Sequence, residues 1–226
     1  MRSGRRSDGY DAVMVFDLDD TMYLERDYVE SGLRAVGSWA EQQLGIAGLS
    51  NRMLRLFRAG SRGHIFDEAL AEAGELHPPE LISRMLSVYR QHRPKIALAA
   101  DVSRFLARRP PRTAFAIITD GFLDAQKRKL RALGLTTGRV DLAVCTDRWG
   151  RSHWKPAPRA FEHVQSFFGM PAESCTYVAD NEEKDFIAPN WLGWCTVHIK
   201  RSECLTKKRL CHPPKVSREI ETFDQL

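Results

Sequence analysis

Ala12-Val-Met-Val-Phe16 runs directly into Asp17-Leu-Asp-Asp-Thr21. A short, wholly apolar run has the character of a strand buried on both faces. This one stops abruptly on a cluster of carboxylates and a hydroxyl. In open parallel sheets ligands sit beyond the carboxyl ends of the strands, so a strand ending this way marks an edge where chemistry is expected.

The same pattern recurs downstream. Ala114-Phe-Ala-Ile-Ile118 ends at Thr119-Asp-Gly121, Leu142-Ala-Val-Cys145 precedes Lys155, Thr176-Tyr-Val-Ala179 ends at Asp180, and Cys195-Thr-Val-His-Ile199 follows. Between these runs the spacing predicts helices over Asp101–Arg108, Asp124–Leu133, Pro158–Phe168 and Glu182–Leu192. Gly134, Gly169 and Gly193 stand where the last three would stop. A final short strand is expected at Glu219–Phe223. Strand alternating with helix implies an α/β fold with a doubly wound parallel sheet.

From Tyr23 to His92 only helical periodicity is present. Val29, Leu33, Val36 and Ala40 form one stripe, Met53, Leu54 and Phe57 a second, Ile65–Leu76 a third helix, and Pro79 opens a fourth. A small all-helical unit is therefore inserted after the first strand. The expected organisation is a flexible basic N-terminus at 1–9, an α/β core of 10–22 and 97–226, and a helical cap at 23–96.

Composition narrows the class. The chain has 226 residues, 43% hydrophobic and 28% charged, an ordinary globular balance in a chain long enough to bury a core without staples. No apolar run approaches the ~20 residues a membrane helix needs. No apolar stretch follows the N-terminal arginines, so a secretion signal is not expected. The five cysteines include no CxxC pair, which points to reduced thiols and a cytoplasmic protein. Cys204, Cys211, His212 and His198 match no tight zinc spacing. A net charge of +5 permits an anionic partner without selecting one. The Lys/Arg-rich stretch Lys200–Arg218 lacks interleaved aromatics, which argues for a solvated face and against nucleic-acid binding.

A parallel sheet would gather Asp17, Asp19 and Thr21, Thr119 with Asp120, Lys155, and Asp180 with Asp185 at one crevice. Carboxylates brought together repel unless a divalent cation compensates, and oxygen-only ligands point to Mg²⁺. A lysine and a threonine beside them suit phosphate oxygens. The residues alone thus suggest metal-assisted handling of a phosphoryl group. Asp185 has a second reading, as support for the following helix through its dipole.

Asp17-Leu-Asp-Asp-Thr21 resembles the DxDxT signature of the haloacid dehalogenase-like superfamily of phosphohydrolases. Thr119, Lys155 within Trp154-Lys-Pro-Ala-Pro158, and Asp180-x4-Asp185 match its remaining motifs in order. The stretch from Val178 to Asn190 resembles the phosphoglycolate-phosphatase-like branch, and the helical insertion its C1 cap. The resemblance implies a Rossmann-like core in which Asp17 is the nucleophile and forms an aspartyl-phosphate. It implies that Asp19 is the general acid/base, that Thr119 and Asp120 lie at the phosphoryl oxygens, and that Lys155 stabilises both nucleophile and transferring group. Asp17, the backbone carbonyl of Asp19 and Asp180 would hold Mg²⁺, with Asp185 joining directly or through water. The activity implied is hydrolysis of a small phosphorylated metabolite, with sugar phosphates favoured by analogy. A phosphomutase would share every one of these positions. A non-enzymatic binding protein using the basic C-terminal stretch would be expected to have lost one of the acids. One departure is Ala179, where relatives often carry glycine; it matters only if the backbone there needs positive φ.

Overall fold

The computed structural model describes residues 9–76, 78–136, 138–202, 204–205 and 214–226. Most of the N-terminal segment, and Cys211 and His212, lie outside the described residues. The chain divides into two compact units, Met1–Glu25 with Ala97–Leu226, and Arg26–Ile96.

The smaller unit is helical: α1 (Glu25–Leu44), α2 (Leu49–Arg58), α3 (Ile65–Glu72) and α4 (Pro79–Gln91). Leu33, Val36, Ala40, Met53, Leu54 and Phe57, which the helical spacing selects, are buried, whereas Val29 is only partly so; Tyr28, Leu49 and Phe66 join them in the core. The helix α3 stops at Glu72, short of the expected Leu76. Gly74 has φ 74°, a left-handed residue that ends a helix. Gly37 lets α1 approach α2 closely, since a Cβ there would fall 2.4 Å from Cβ of Ser50.

The larger unit is built on six parallel strands: β1 (Ala12–Phe16), β2 (Thr113–Thr119), β3 (Leu142–Cys145), β4 (Cys175–Ala179), β5 (Cys195–Ile199) and β6 (Arg218–Ile220). Their order is β3-β2-β1-β4-β5-β6. Around them stand α5 (Ala100–Ala107), α6 (Leu123–Ala132), α7 (Arg159–Phe168) and α8 (Ile187–Trp191). Strand alternation sorts the side chains. Val13, Val15, Ala114 and Ala116 pack with Phe161, Val164 and Phe168 of α7 on one face. Phe16 and Phe115 turn to the other face, where Phe16 lies 5.9 Å from the Phe105 ring and 5.6 Å from Phe223. Both faces are covered, so the strands read as continuous apolar runs.

In the larger unit, two further expected elements fall well short of their sequence patterns. The helix expected over Glu182–Leu192 is present only as α8. Ahead of it, Asn181 Oδ1 accepts from the Glu183 amide at 2.9 Å, and the Asp185 carboxylate accepts from the Asn181 amide at 3.1 Å. Such side-chain-to-backbone bonds compete with a helical ladder. The last strand ends at Ile220, and Thr222 then caps a 3₁₀ turn over Phe223–Gln225. Among the described residues no helix is long and apolar enough to cross a membrane.

Candidate active site

Strand order reverses at β1, with β2 and β3 on one side and β4 to β6 on the other. This is the topological switch point, where loops part to leave a crevice. Asp17 continues the β1 pairing, its amide donating to the Val178 carbonyl at 3.0 Å. The chain then turns tightly, the Met22 amide donating to Leu18 O at 3.0 Å. Asp20 sits at φ 55°, a left-handed geometry that aspartate tolerates better than most residues. Its carboxylate accepts from the amides of Glu25 and Leu205, each at 2.8 Å.

This turn sets Asp19 at the same sheet edge as Asp17. The Lys129 ammonium donates to both Asp19 oxygens, at 2.7 and 2.9 Å, Gln126 Nε2 to one at 3.3 Å, and the Tyr23 hydroxyl to the other. Burial pushes the Asp19 carboxyl up, but Lys129, Tyr23 and Gln126 more than reverse this and hold it below the usual carboxylate range.

At the end of β2, Thr119 is buried and its hydroxyl lies 3.5 Å from the Asp120 carbonyl. The Asp120 carboxylate accepts from Thr146 Oγ1 at 2.8 Å and from the Lys155 amide at 3.1 Å, and pairs with Lys184 at 3.3 Å. Asp120 therefore anchors the backbone that carries Lys155. Gly121 sits at φ 121°, a backbone conformation that L side chains rarely adopt, and the missing Cβ leaves space that Gln126 Nε2 fills.

The side chain of Lys155 is wholly buried. Its ammonium pairs with Asp17, lies 2.6 Å from Asp185 and donates to the Tyr177 hydroxyl at 3.0 Å. Burial pushes the Asp17 carboxyl up to about 6, against the pull of Lys155. Asp180 stands well above the usual carboxylate range, first because it is buried and then because Asp17, Asp185 and Asp20 surround it. Thr21 Oγ1 donates to it at 3.1 Å. Ala179 precedes it inside β4 and is absent from the positive-φ residues, so its methyl costs no backbone strain.

Of the residues expected at the site, Asp17, Asp19, Asp120, Lys155 and Asp180 line one crevice of about 290 Å³. Thr119 and Asp185 are buried and do not line it. A larger groove, about 500 Å³ beside β3, is lined by none of these residues. The crevice also contains groups the sequence reading missed: Glu25, Gln126, Lys129 and Lys184. Gln126 and Lys129 lie three apart on α6, hence on one helix face, and that spacing beside the Thr119 motif was the available signal. Helical pattern alone reads them as solvated, yet both are buried.

The donor set fits a hard divalent cation. Asp17, Asp180 and Asp185 each offer an oxygen, and these atoms all lie within 4.8 Å of one another. Carboxylates this close repel, Asp17 and Asp185 buried and Asp180 partly so, and among them only Asp17 and Asp185 share the compensating lysine; oxygen-only ligands suit a Mg²⁺-like ion. Asp180 forms a second acidic group with Asp20 and Cys204, but there both Asp20 oxygens already accept from backbone amides. In the basic C-terminal stretch, Lys200 pairs with Glu219 at 2.6 Å and Arg201 with Asp101 at 3.1 Å.

Comparison with known proteins agrees with this architecture. Glyceraldehyde 3-phosphate phosphatase of Methanocaldococcus jannaschii is 26% identical over 200 residues, covering 84% of this chain and 85% of that protein. Phosphoserine phosphatase of Thermus thermophilus is 29% identical over 175 residues, covering 77% of this chain and 61% of that protein. The magnesium-bound structure of the HAD-hydrolase YfnB from Bacillus subtilis superposes with a TM-score of 0.66 at 17% identity, covering 96% of each chain. The haloacid dehalogenase-like hydrolase family matches residues 12–193. That span holds every strand from β1 to β4 and all the crevice carboxylates: the chain belongs to the haloacid dehalogenase-like hydrolases.

Proposed function

We propose that the chain is a Mg²⁺-dependent phosphatase that hydrolyses a small phosphomonoester through an aspartyl-phosphate on Asp17. The observation that carries this reading is the setting of Asp17, a buried carboxylate flanked by the ammonium of Lys155 and the carboxylate of Asp180 at the floor of the crevice. A carboxylate attacks an anion only if nearby positive charge offsets the repulsion. Lys155 provides part of that charge. Asp17, Asp180, Asp185 and the Asp19 carbonyl are the candidate metal ligands. Bound Mg²⁺ would neutralise charge on the phosphoryl oxygens.

In the first step an Asp17 oxygen bonds to phosphorus and the bond to the leaving oxygen breaks. Asp19 gives that oxygen its proton, and the incoming anionic phosphate favours the protonated form of Asp19 beforehand. In the second step water attacks the phosphorus, Asp19 takes the water's proton, and the bond to Asp17 breaks to release phosphate. The backbone amides that follow Thr119 hold the phosphoryl oxygens, and Thr119 itself, buried beneath them, supports that loop. The Asp120 carboxylate, an acceptor itself, acts by fixing Lys155. A phosphorylated three-carbon metabolite or a small sugar phosphate is the substrate class, supported by the names of the two curated relatives.

Purified protein with Mg²⁺ should release phosphate from acetyl phosphate, glyceraldehyde 3-phosphate or a sugar phosphate, and a chelator should stop it. Asp17→Asn should remove turnover altogether. Turnover surviving that substitution contradicts the assignment of the nucleophile.

A further inference from the structure

The assigned chemistry gives no role to Lys129, one of several polar groups that line the crevice. Lys129 is an α6 side chain only 4% exposed, and its ammonium grips both oxygens of Asp19 at 2.7 and 2.9 Å. A buried ion pair is poor evidence for a stabilising role, because removing its charges from water offsets much of the attraction. This pair also lines the crevice rather than the core. Its neighbour Gln126 spends one amide nitrogen on two acceptors, the Asp120 carbonyl at 2.7 Å and Asp19 at 3.3 Å, while its own Oε1 is buried without a hydrogen-bond partner. The amide is thus committed to donating toward these two groups at the cost of an unmet acceptor. Gly121 leaves space for this fit, since a Cβ there would fall 2.4 Å from that nitrogen and displace it.

Resting on the acid/base reading of Asp19 given above, we propose that Lys129, assisted by Gln126, is the positioning residue for Asp19. Two donors on consecutive turns of α6 fix the plane of the carboxylate, and the same helix begins just after the Thr119-Asp120 loop that receives the phosphoryl group. One rigid element therefore sets the distance between the proton-transferring oxygen and the reacting phosphorus. Placement errors of about 1 Å in such groups can cost about 100-fold in rate.

The test compares two substrates in single turnover. An alkyl phosphate needs its leaving oxygen protonated, whereas p-nitrophenyl phosphate leaves as a stable phenolate. Lys129→Met should slow alcohol release from the alkyl phosphate by roughly 10- to 100-fold, leave KM within about threefold, and affect nitrophenolate release much less. It should add nothing further in an Asp19→Ala background, and Lys129→Arg should recover part of the loss. Lys129→Gln, which keeps a donor, serves if the methionine variant does not fold, with the same substrate contrast expected. Equal losses on both substrates, a change confined to KM, or a loss that multiplies with Asp19→Ala would each overturn the proposal. Failure of the underlying reading shows differently, as alcohol release from the alkyl phosphate that survives Asp19→Ala in the unmodified Lys129 background.

Discussion

At Asp17 charge decides what the residue can do. Burial raises its carboxyl to about 6 while Lys155 draws it back. Glu25 presents the complementary case. Burial, then the charge of Asp19, raises it to about 7, with Asp20 adding to this and Lys129 and Lys184 opposing it. A carboxyl whose folded pKa exceeds its unfolded one binds more protons in the native state. Its cost to stability is therefore absent below about pH 4.5, grows as pH rises, and is complete above about pH 7. Glu25→Gln should raise the unfolding free energy at pH 8 by on the order of 3 kcal/mol and leave it nearly unchanged at pH 4.5. Denaturant titrations of both proteins in chelator at the two pH values measure this, and equal differences at both would refute it.

Elements show why some of the architecture was readable and some was not. Strands β1 and β3 coincide with their apolar runs, each of which stops where a polar residue, Asp17 or Thr146, follows. The helix expected across Asp185 failed for a local reason: Asn181 and Asp185 turn their side chains back onto the backbone, and helical periodicity does not register that competition. The site was legible in the same uneven way. Asp17, Asp19, Asp120, Lys155 and Asp180 follow strands or signature motifs, whereas Lys129 and Gln126 belong to a helix whose pattern looks solvent-facing. Close packing was also hidden, since Gly37 reads as a weak helix residue until Ser50 is seen 2.4 Å from where its Cβ would stand. Gly37→Ala should improve helix propensity yet destabilise by about 1–3 kcal/mol through the forced separation of α1 and α2. A higher urea midpoint for the alanine variant would contradict this.

Across the whole molecule, function follows from strand order. Because β1 lies between β2 and β4, residues separated by more than a hundred positions in sequence meet: Lys155 reaches Asp17, and Thr21 reaches Asp180. Burial on both sheet faces gives this edge a rigid base, which preorganised charge requires. The larger groove beside β3 has more volume but none of these carboxylates, so it offers nothing of the chemistry proposed for the crevice. The most direct measurement is acid-quenched turnover with a substrate carrying labelled phosphorus, followed by peptide mapping. Label on Asp17 that forms within one turnover and disappears on chase is the result expected. Steady turnover with no labelled peptide, or label on a residue other than Asp17, would contradict a covalent route through that carboxylate.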